Sequence, residues 1–216
     1  GGLRGAAAVV ARGEGATDLE AATREVIADD VYQALAFSTA GWGSEGVLRY
    51  PTSEMGAIAL VRQTMIDVDR YVQCMTVDAV DASGHEPPQP SRAMDALVAG
   101  TGPLLFVARN ELQILRAARL AAEFSRPLVA LGSGTEFRRI GAVAAAGVPI
   151  AVPVAYPDVP DVSTSMAAES HSLRDLAGWE QAPTNARRLV DAGVTLALTP
   201  ARLDDRADFH GNVREA

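Results

Sequence analysis

From residue 103 onward the chain alternates between short apolar runs and longer amphipathic stretches. Residues 103–107, 127–131, 148–153 and 194–198 are apolar and bounded by Pro, Gly or polar residues, which predicts strands. Between them, 111–124 sets Leu112, Ile114, Leu115, Ala118 and Ala122 on an apolar side and Arg116, Arg119 and Glu123 outward, which predicts a helix. Residues 135–146 repeat that pattern more weakly. Further helices are expected over 173–179 and 184–192, with Gly193 as the C-cap, and a last one begins at Asp208. The strands start 24, 21 and 46 residues apart. The first two spacings suit adjacent strand–helix units and hence a parallel sheet.

The first hundred residues are less regular. Residues 1–15 are rich in Gly and Ala around one apolar run, 6–11, and a helix is expected from Asp18 to about Phe37. Residues 41–46 read as a loop. Thr52 or Ser53 caps a long helix with Glu54 in its first turn, and Met55, Ile58, Ala59, Arg62, Met65, Ile66, Asp69 and Val72 recur at helical spacing. An Arg62–Asp pair is expected in a buried polar network on that helix. Residues 81–90 cannot continue a helix, Ser91 caps a short one to Val98, and 153–172 form a long, proline-rich connection.

The fold class expected is α/β, part of a (β/α)₈ TIM-type barrel with parallel strands. Four clear strands do not close such a barrel, so a doubly wound parallel sheet is the alternative. Residues 1–216 are expected to form a single domain, cut from a larger chain.

Composition narrows the function. The chain is 48% hydrophobic with a net charge of −8, which fits a soluble globular protein and argues against a nucleic-acid partner. No apolar run approaches the roughly 20 residues that span a bilayer, so no membrane partner is expected, and the compartment, cytoplasmic or periplasmic, stays open. The single cysteine, Cys74, excludes an internal disulfide and reads as a small buried hydrophobe. All 19 basic residues are arginine, which removes Schiff-base, phosphate-loop and metal-bridging lysine chemistry.

In a parallel α/β barrel the residues just after each strand line the active-site face. Those positions hold Ala108-Arg109-Asn110, Gly132-Ser133-Gly134, Pro153 and Thr199-Pro200, with no His among them. The turn 132–136 offers backbone amides that suit a carboxylate or phosphate; the plainer reading is a tight turn with Thr135 as a helix cap. Arg109 and Asn110 either join that site or simply begin the next helix. The candidate ligand-binding set is therefore Arg109, Asn110, Ser133, Gly134, Thr135 and Thr199, for a small-molecule ligand. His85 reads as solvated loop. His171, between Glu169 and Asp175, and His210, after Asp204, Asp205 and Asp208, are weaker candidates for acid–base or metal chemistry.

Three stretches carry a resemblance. Residues 49–64 (RYPTSEMGAIALVRQT), 109–120 (RNELQILRAARL) and 179–199 (WEQAPTNARRLVDAGVTLALT) are similar to bacterial amidohydrolases of the imidazolonepropionase-like type. The resemblance implies the middle to late part of a metal-dependent (β/α)₈ barrel. That family's metal site uses a His-x-His pair, a His after each of two middle strands and an Asp after the last. Here the matching positions hold Ala108, Gly132 and Thr199-Pro200, with no Asp before Asp204 and no His-x-His anywhere. No catalytic residue and no metal ligand carries over.

The resemblance thus implies a degenerate barrel segment without its own hydrolytic centre, structural or ligand-binding within a larger protein. Its partners would be the rest of a larger polypeptide or a homo-oligomer. No cofactor is expected, with zinc only if the parent protein is active. The alternative is a metal-dependent hydrolase of non-peptide C–N bonds in cyclic amides, with ligands supplied from elsewhere. A third reading is a metal-free binding module of doubly wound type built on 132–136.

Overall fold

The computed structural model describes residues 3–10, 26–39, 50–76, 97–98 and 102–216. The expected loops at 41–46 and 81–90, the Ser91 cap, His85 and the first half of the expected 18–37 helix lie outside those residues. The chain divides into two compact units, one made of 1–105 and 122–127, the other of 106–121 and 128–216.

In the first unit, β1 (Leu3–Val10) pairs antiparallel with β2 (Val26–Leu35), from Leu3 against Leu35 to Val10 against Val26. A strand over 26–35 overturns the expected helix. Ile27, Val31 and Leu35 recur every fourth residue and so imitate a helical stripe, but Val26, Ile27, Val31 and Tyr32 are strand-favouring side chains. The burial confirms the strand period: Gln33 and Leu35 are buried while Ala34 between them is not.

Helix α1 (Glu54–Thr76) begins where expected. Ser53 Oγ accepts the Gly56 N–H at 3.1 Å, which makes Ser53 the cap. Its buried stripe is Ala57, Val61, Met65 and Val68, stepping by four, four and three. The expected stripe is corrected accordingly: Met55, Ile66 and Val72 are exposed, and only Met65 belongs to the core face. Arg62 is also corrected. It pairs with Glu123 rather than an Asp, Nε to Oε1 at 2.9 Å and Nη2 to Oε2 at 2.9 Å, and both side chains are 44% exposed. Gln63 donates to Asp67 one turn on, at 2.8 Å.

In the second unit, strand and helix alternate. Strand β3 (Leu104–Val107) ends in this unit and leads into α2 (Glu111–Glu123). β4 (Leu128–Leu131) is followed by a 3₁₀ turn, Glu136–Arg139, and α3 (Ile140–Ala145). β5 (Ile150–Pro153) is followed by α4 (Ser165–Glu169), α5 (Leu173–Gln181) and α6 (Asn185–Asp191). β6 (Leu196–Thr199) precedes α7 (Phe209–Glu215). The strand expectations hold to within a residue or two at each end.

Pairs β4–β5 and β5–β6 are parallel, with Ala130 opposite Ile150 and Ile150 opposite Leu196. The Ala108 N–H donates to Leu131 O at 3.0 Å, carrying the ladder from β3 to β4. In this unit the sheet order follows chain order, β3 to β6. A doubly wound sheet reverses its strand order at a switch point. Successive parallel strands laid down without reversal, by right-handed crossovers, put their helices on one face, as in a barrel wall. The doubly wound alternative is therefore set aside, and the fold is α/β with a parallel sheet of the kind that makes part of a barrel.

The core of this unit is Phe106, Ile114, Ala117, Leu120, Val143, Ile150, Val152, Ala186 and Leu189, all buried. Burying each large side chain among them contributes about 1.5–3 kcal/mol. On α2 the buried face is Ile114, Ala117, Leu120 and Ala121; Leu112 and Leu115 are half-buried and Ala122 is exposed, which shifts the expected face. Gly193, at φ +79°, closes α6 as expected: its N–H reaches Val190 O at 2.8 Å, and Val194 N–H reaches Leu189 O at 2.9 Å. That pair of bonds is a Schellman motif, and the left-handed residue it needs favours glycine.

Candidate functional site

Asn110 follows β3 and caps α2. Its Oδ1 accepts the Gln113 N–H at 3.0 Å, and Gln113 Oε1 in return accepts the Arg109 N–H at 2.9 Å. This reciprocal arrangement engages the Arg109 and Gln113 amides at the helix start, where the Gln113 N–H also reaches Asn110 O at 3.2 Å. Asn110 is thereby engaged in folding, whereas the side chain of Arg109 is exposed.

The turn after β4 has a more consequential geometry. Glu136 is fully buried, and its side chain folds back over the turn that precedes it. Oε1 accepts the Ser133 N–H at 2.5 Å and the Ser133 hydroxyl at 2.9 Å. Oε2 accepts the Gly134 N–H at 3.0 Å and Asn185 Nδ2 at 2.8 Å. Asn185, at the start of α6 and itself buried, also accepts the Phe137 N–H on Oδ1 at 2.7 Å. The Ser133 and Thr135 hydroxyls lie 2.7 Å apart, and Thr135 Oγ1 donates to Glu111 Oε2 at 3.0 Å.

The amides of Ser133 and Gly134 thus do bind a carboxylate, and it is the chain's own. Thr135 makes no side-chain cap; its hydroxyl links the turn to Glu111 instead. Gly134, at φ +84°, supplies the left-handed step that aims the amides at Glu136. Gly132 is closed in: a Cβ there would lie 3.0 Å from Glu136 Oε1 and 3.0 Å from Ile150 Cγ2.

Arg202 joins these strand ends. The turn after β6 is pinned by Thr199, whose hydroxyl accepts the Ala201 N–H at 3.2 Å. The next residue, Arg202, stands at φ +71°, a conformation that costs a non-glycine residue on the order of 1 kcal/mol. From there its Nη2 donates to Ala108 O and its Nη1 to Ser133 O, the latter at 3.4 Å. Ser133, Gly134 and Thr135 are therefore brought together with Glu111, Glu136 and Asn185. The carbonyl before Arg109 and the Thr199 turn meet them through Arg202. Sequence reading missed Glu136, Asn185 and Arg202. Glu136 three residues after Ser133 was the legible signal; nothing local marks Asn185, 49 residues further on.

The remaining candidates are apart from this network. His171 is half-buried and lies near Asp161 and Asp175. Those two carboxyls sit below the ordinary aspartate value mainly through hydrogen bonds from Ser163 and Ser172, with His171 adding a smaller effect. His210 meets Phe209 edge-on at 5.6 Å. At the end of β5, Asn212 of α7 donates to Val154 O at 2.8 Å and accepts from the Tyr156 hydroxyl at 2.8 Å; burial pushes that hydroxyl's pKa up.

The residues at the ends of β3, β4 and β6 supply few ligand atoms for a zinc site. Such a site takes about three N, O or S side-chain ligands. Ala108 has no ligand atom and is buried, a Cβ at Gly132 would press on Glu136 and Ile150 at 3.0 Å, and β6 offers one hydroxyl before Pro200. Among the described residues no group of three or more His, Cys, Asp or Glu is arranged to hold a metal ion. No described helix is long and apolar enough to cross a membrane.

No family model and no curated protein matches the chain. Among solved structures, it is similar to the crystal structure of an amidohydrolase from Thermotoga maritima MSB8, with a TM-score of 0.58 and 18% sequence identity. The likeness covers 88% of this chain and 48% of that one, so the chain spans about half the neighbour's length. At that identity the likeness is one of fold alone, an α/β arrangement shared with part of that structure.

Proposed function

We propose that the chain is an amidohydrolase-like barrel segment without a hydrolytic centre of its own, serving as a structural or ligand-binding part of a larger protein. The observation that supports this most is Glu136. Its buried carboxylate fills the amide cradle at the β4 end and crowds Gly132, where the resemblance would look for a ligand side chain. Four neutral donors hold it, so displacing it would leave several buried polar groups unsatisfied, at about 1–3 kcal/mol each. Chemically, such a turn fixes the relative positions of β4, α2 and α6. It presents neither a Lewis acid nor a free general base to a substrate.

The test is hydrolysis of cyclic amides by the purified chain as isolated, after chelator, and after zinc is restored. The expected result is no turnover above buffer in any state. Turnover abolished by chelator and restored by zinc would falsify the proposal. It would favour the second reading, a metal-dependent hydrolase of non-peptide C–N bonds with ligands from other segments, whose support is the fold likeness and its half-length coverage.

A further inference from the structure

Arg202 is placed at a backbone cost and uses few of its donors. Its φ of +71° is held by the Thr199 turn, and the reach this provides ends on two carbonyls, Ala108 O and Ser133 O. A guanidinium carries more N–H donors than two carbonyls use, and it cannot lose its charge in a protein. No ion pair engages Arg202 among the described residues, although Asp204 and Asp205 follow it closely in sequence.

Arg109 adds a second guanidinium. Its residue directly follows Ala108, the carbonyl to which Arg202 is bound, and its side chain is exposed with no ion pair among the described residues. Both residues follow parallel strands, Arg109 after β3 and Arg202 after β6. The carboxyl end of a parallel sheet is where α/β proteins bind ligands. The amides of the 132–136 turn are closed to an outside anion by Glu136, which leaves the guanidinium groups as the donors available there.

We propose that Arg202, with Arg109 of the turn after β3 as a second donor, forms a binding site for the carboxylate or phosphate group of a small-molecule ligand at the ends of β3, β4 and β6. Anchoring on Ala108 O and Ser133 O holds the Arg202 guanidinium in one orientation before the ligand arrives, which lowers the ordering cost of binding. Planar bidentate pairing with an oxyanion is the chemistry a guanidinium favours over an ammonium. The site rests on the reading that these strand ends carry no metal, and it gives the ligand-binding part of that reading a chemical class.

The experiment is a titration of the full chain with inorganic phosphate and, separately, with glutarate, in the presence of EDTA, followed by amide chemical shifts. Saturable shifts centred on Ala108, Arg109, Ser133 and Arg202 are expected with at least one probe, weakening as salt is added. Arg202→Gln is expected to weaken binding by about tenfold or more, as loss of a charge-assisted hydrogen bond does. Because that substitution also removes the links to Ala108 and Ser133, Arg109→Gln is the independent variant: it leaves those links intact and is expected to weaken binding several-fold. Which probe binds tighter tells carboxylate from phosphate. Absence of saturable shifts with both probes, or binding that neither substitution changes, overturns the site. Because EDTA is present throughout, anion binding is read separately from any zinc-dependent turnover, which bears on the earlier proposal alone.

Discussion

Glu123 closes α2 at the surface and takes the guanidinium of Arg62; Glu136, after the next strand, is buried and takes only neutral donors. Each carboxylate accepts several hydrogen bonds, at 2.9–3.1 Å for Glu123 and 2.5–3.0 Å for Glu136. The difference lies in what happens when the partner goes. At Glu123 water replaces it, so the pair adds little to stability despite its bidentate geometry. At Glu136 nothing replaces it, and two backbone amides, a hydroxyl and the Asn185 amide lose their acceptor together. Burial, rather than charge, decides which of the two organises the fold.

The largest expected effect follows from that contrast. Glu136→Ala is expected to destabilise the chain by about 3–5 kcal/mol, on the order of 10 °C in Tm, read by thermal denaturation. A shift of the size expected at a surface carboxylate would instead mean that water reaches the turn's amides. Asn185→Ala removes one donor from Glu136 and the acceptor of Phe137 N–H, so about 2–3 kcal/mol is expected in denaturant unfolding. Gly132→Ala sets a methyl against Glu136 Oε1 and Ile150 Cγ2, both 3.0 Å away. Overpacking there is expected to cost about 1–3 kcal/mol, and a neutral result would show that the Glu136 side chain has room to move.

The smallest effect belongs to Glu123. The Arg62 hydrogen bond holds its pKa below the ordinary glutamate value. A depressed folded value means that the pair's contribution is present above about pH 4.3 and is lost as pH falls through the lower folded value. A carboxyl-detected titration is expected to find the Glu123 midpoint below the ordinary value, and Arg62→Gln is expected to bring it back up. Glu123→Gln at neutral pH is expected to leave the unfolding midpoint unchanged within error.

Sequence reading found β3 to β6 because each is a short apolar run between turn residues, too brief for a helix and flanked by helices with clear polar faces. It failed on β2, where Ile27, Val31 and Leu35 satisfy a four-residue period as well as a strand's. It also mistook which face of α1 is buried: Met55, Ile66 and Val72 are apolar yet exposed, and a stripe of Ala57, Val61 and Val68 is less conspicuous. At the strand ends, the turn 132–136 read either as amides suited to an outside anion or, more plainly, as a tight turn capped by Thr135, a cap that its side chain does not make. That the carboxylate is internal depends on Glu136 folding back and on Asn185 arriving from another helix, and only the tertiary fold supplies the second of these. Arg62 shows the converse error, a polar residue assigned to a buried network because its neighbours in sequence are apolar.

Closure of these strand ends by an internal carboxylate, in place of the metal that the resemblance implies, is the core of the proposed function. It is tested most directly by the metal content of the chain, purified without chelator or affinity metal and measured by mass spectrometry after exposure to stoichiometric zinc and extensive dialysis. Zinc far below one per chain is expected, unchanged in Glu136→Ala. Near-stoichiometric zinc that survives dialysis would contradict it and turn attention to His171, His210 and their acidic neighbours.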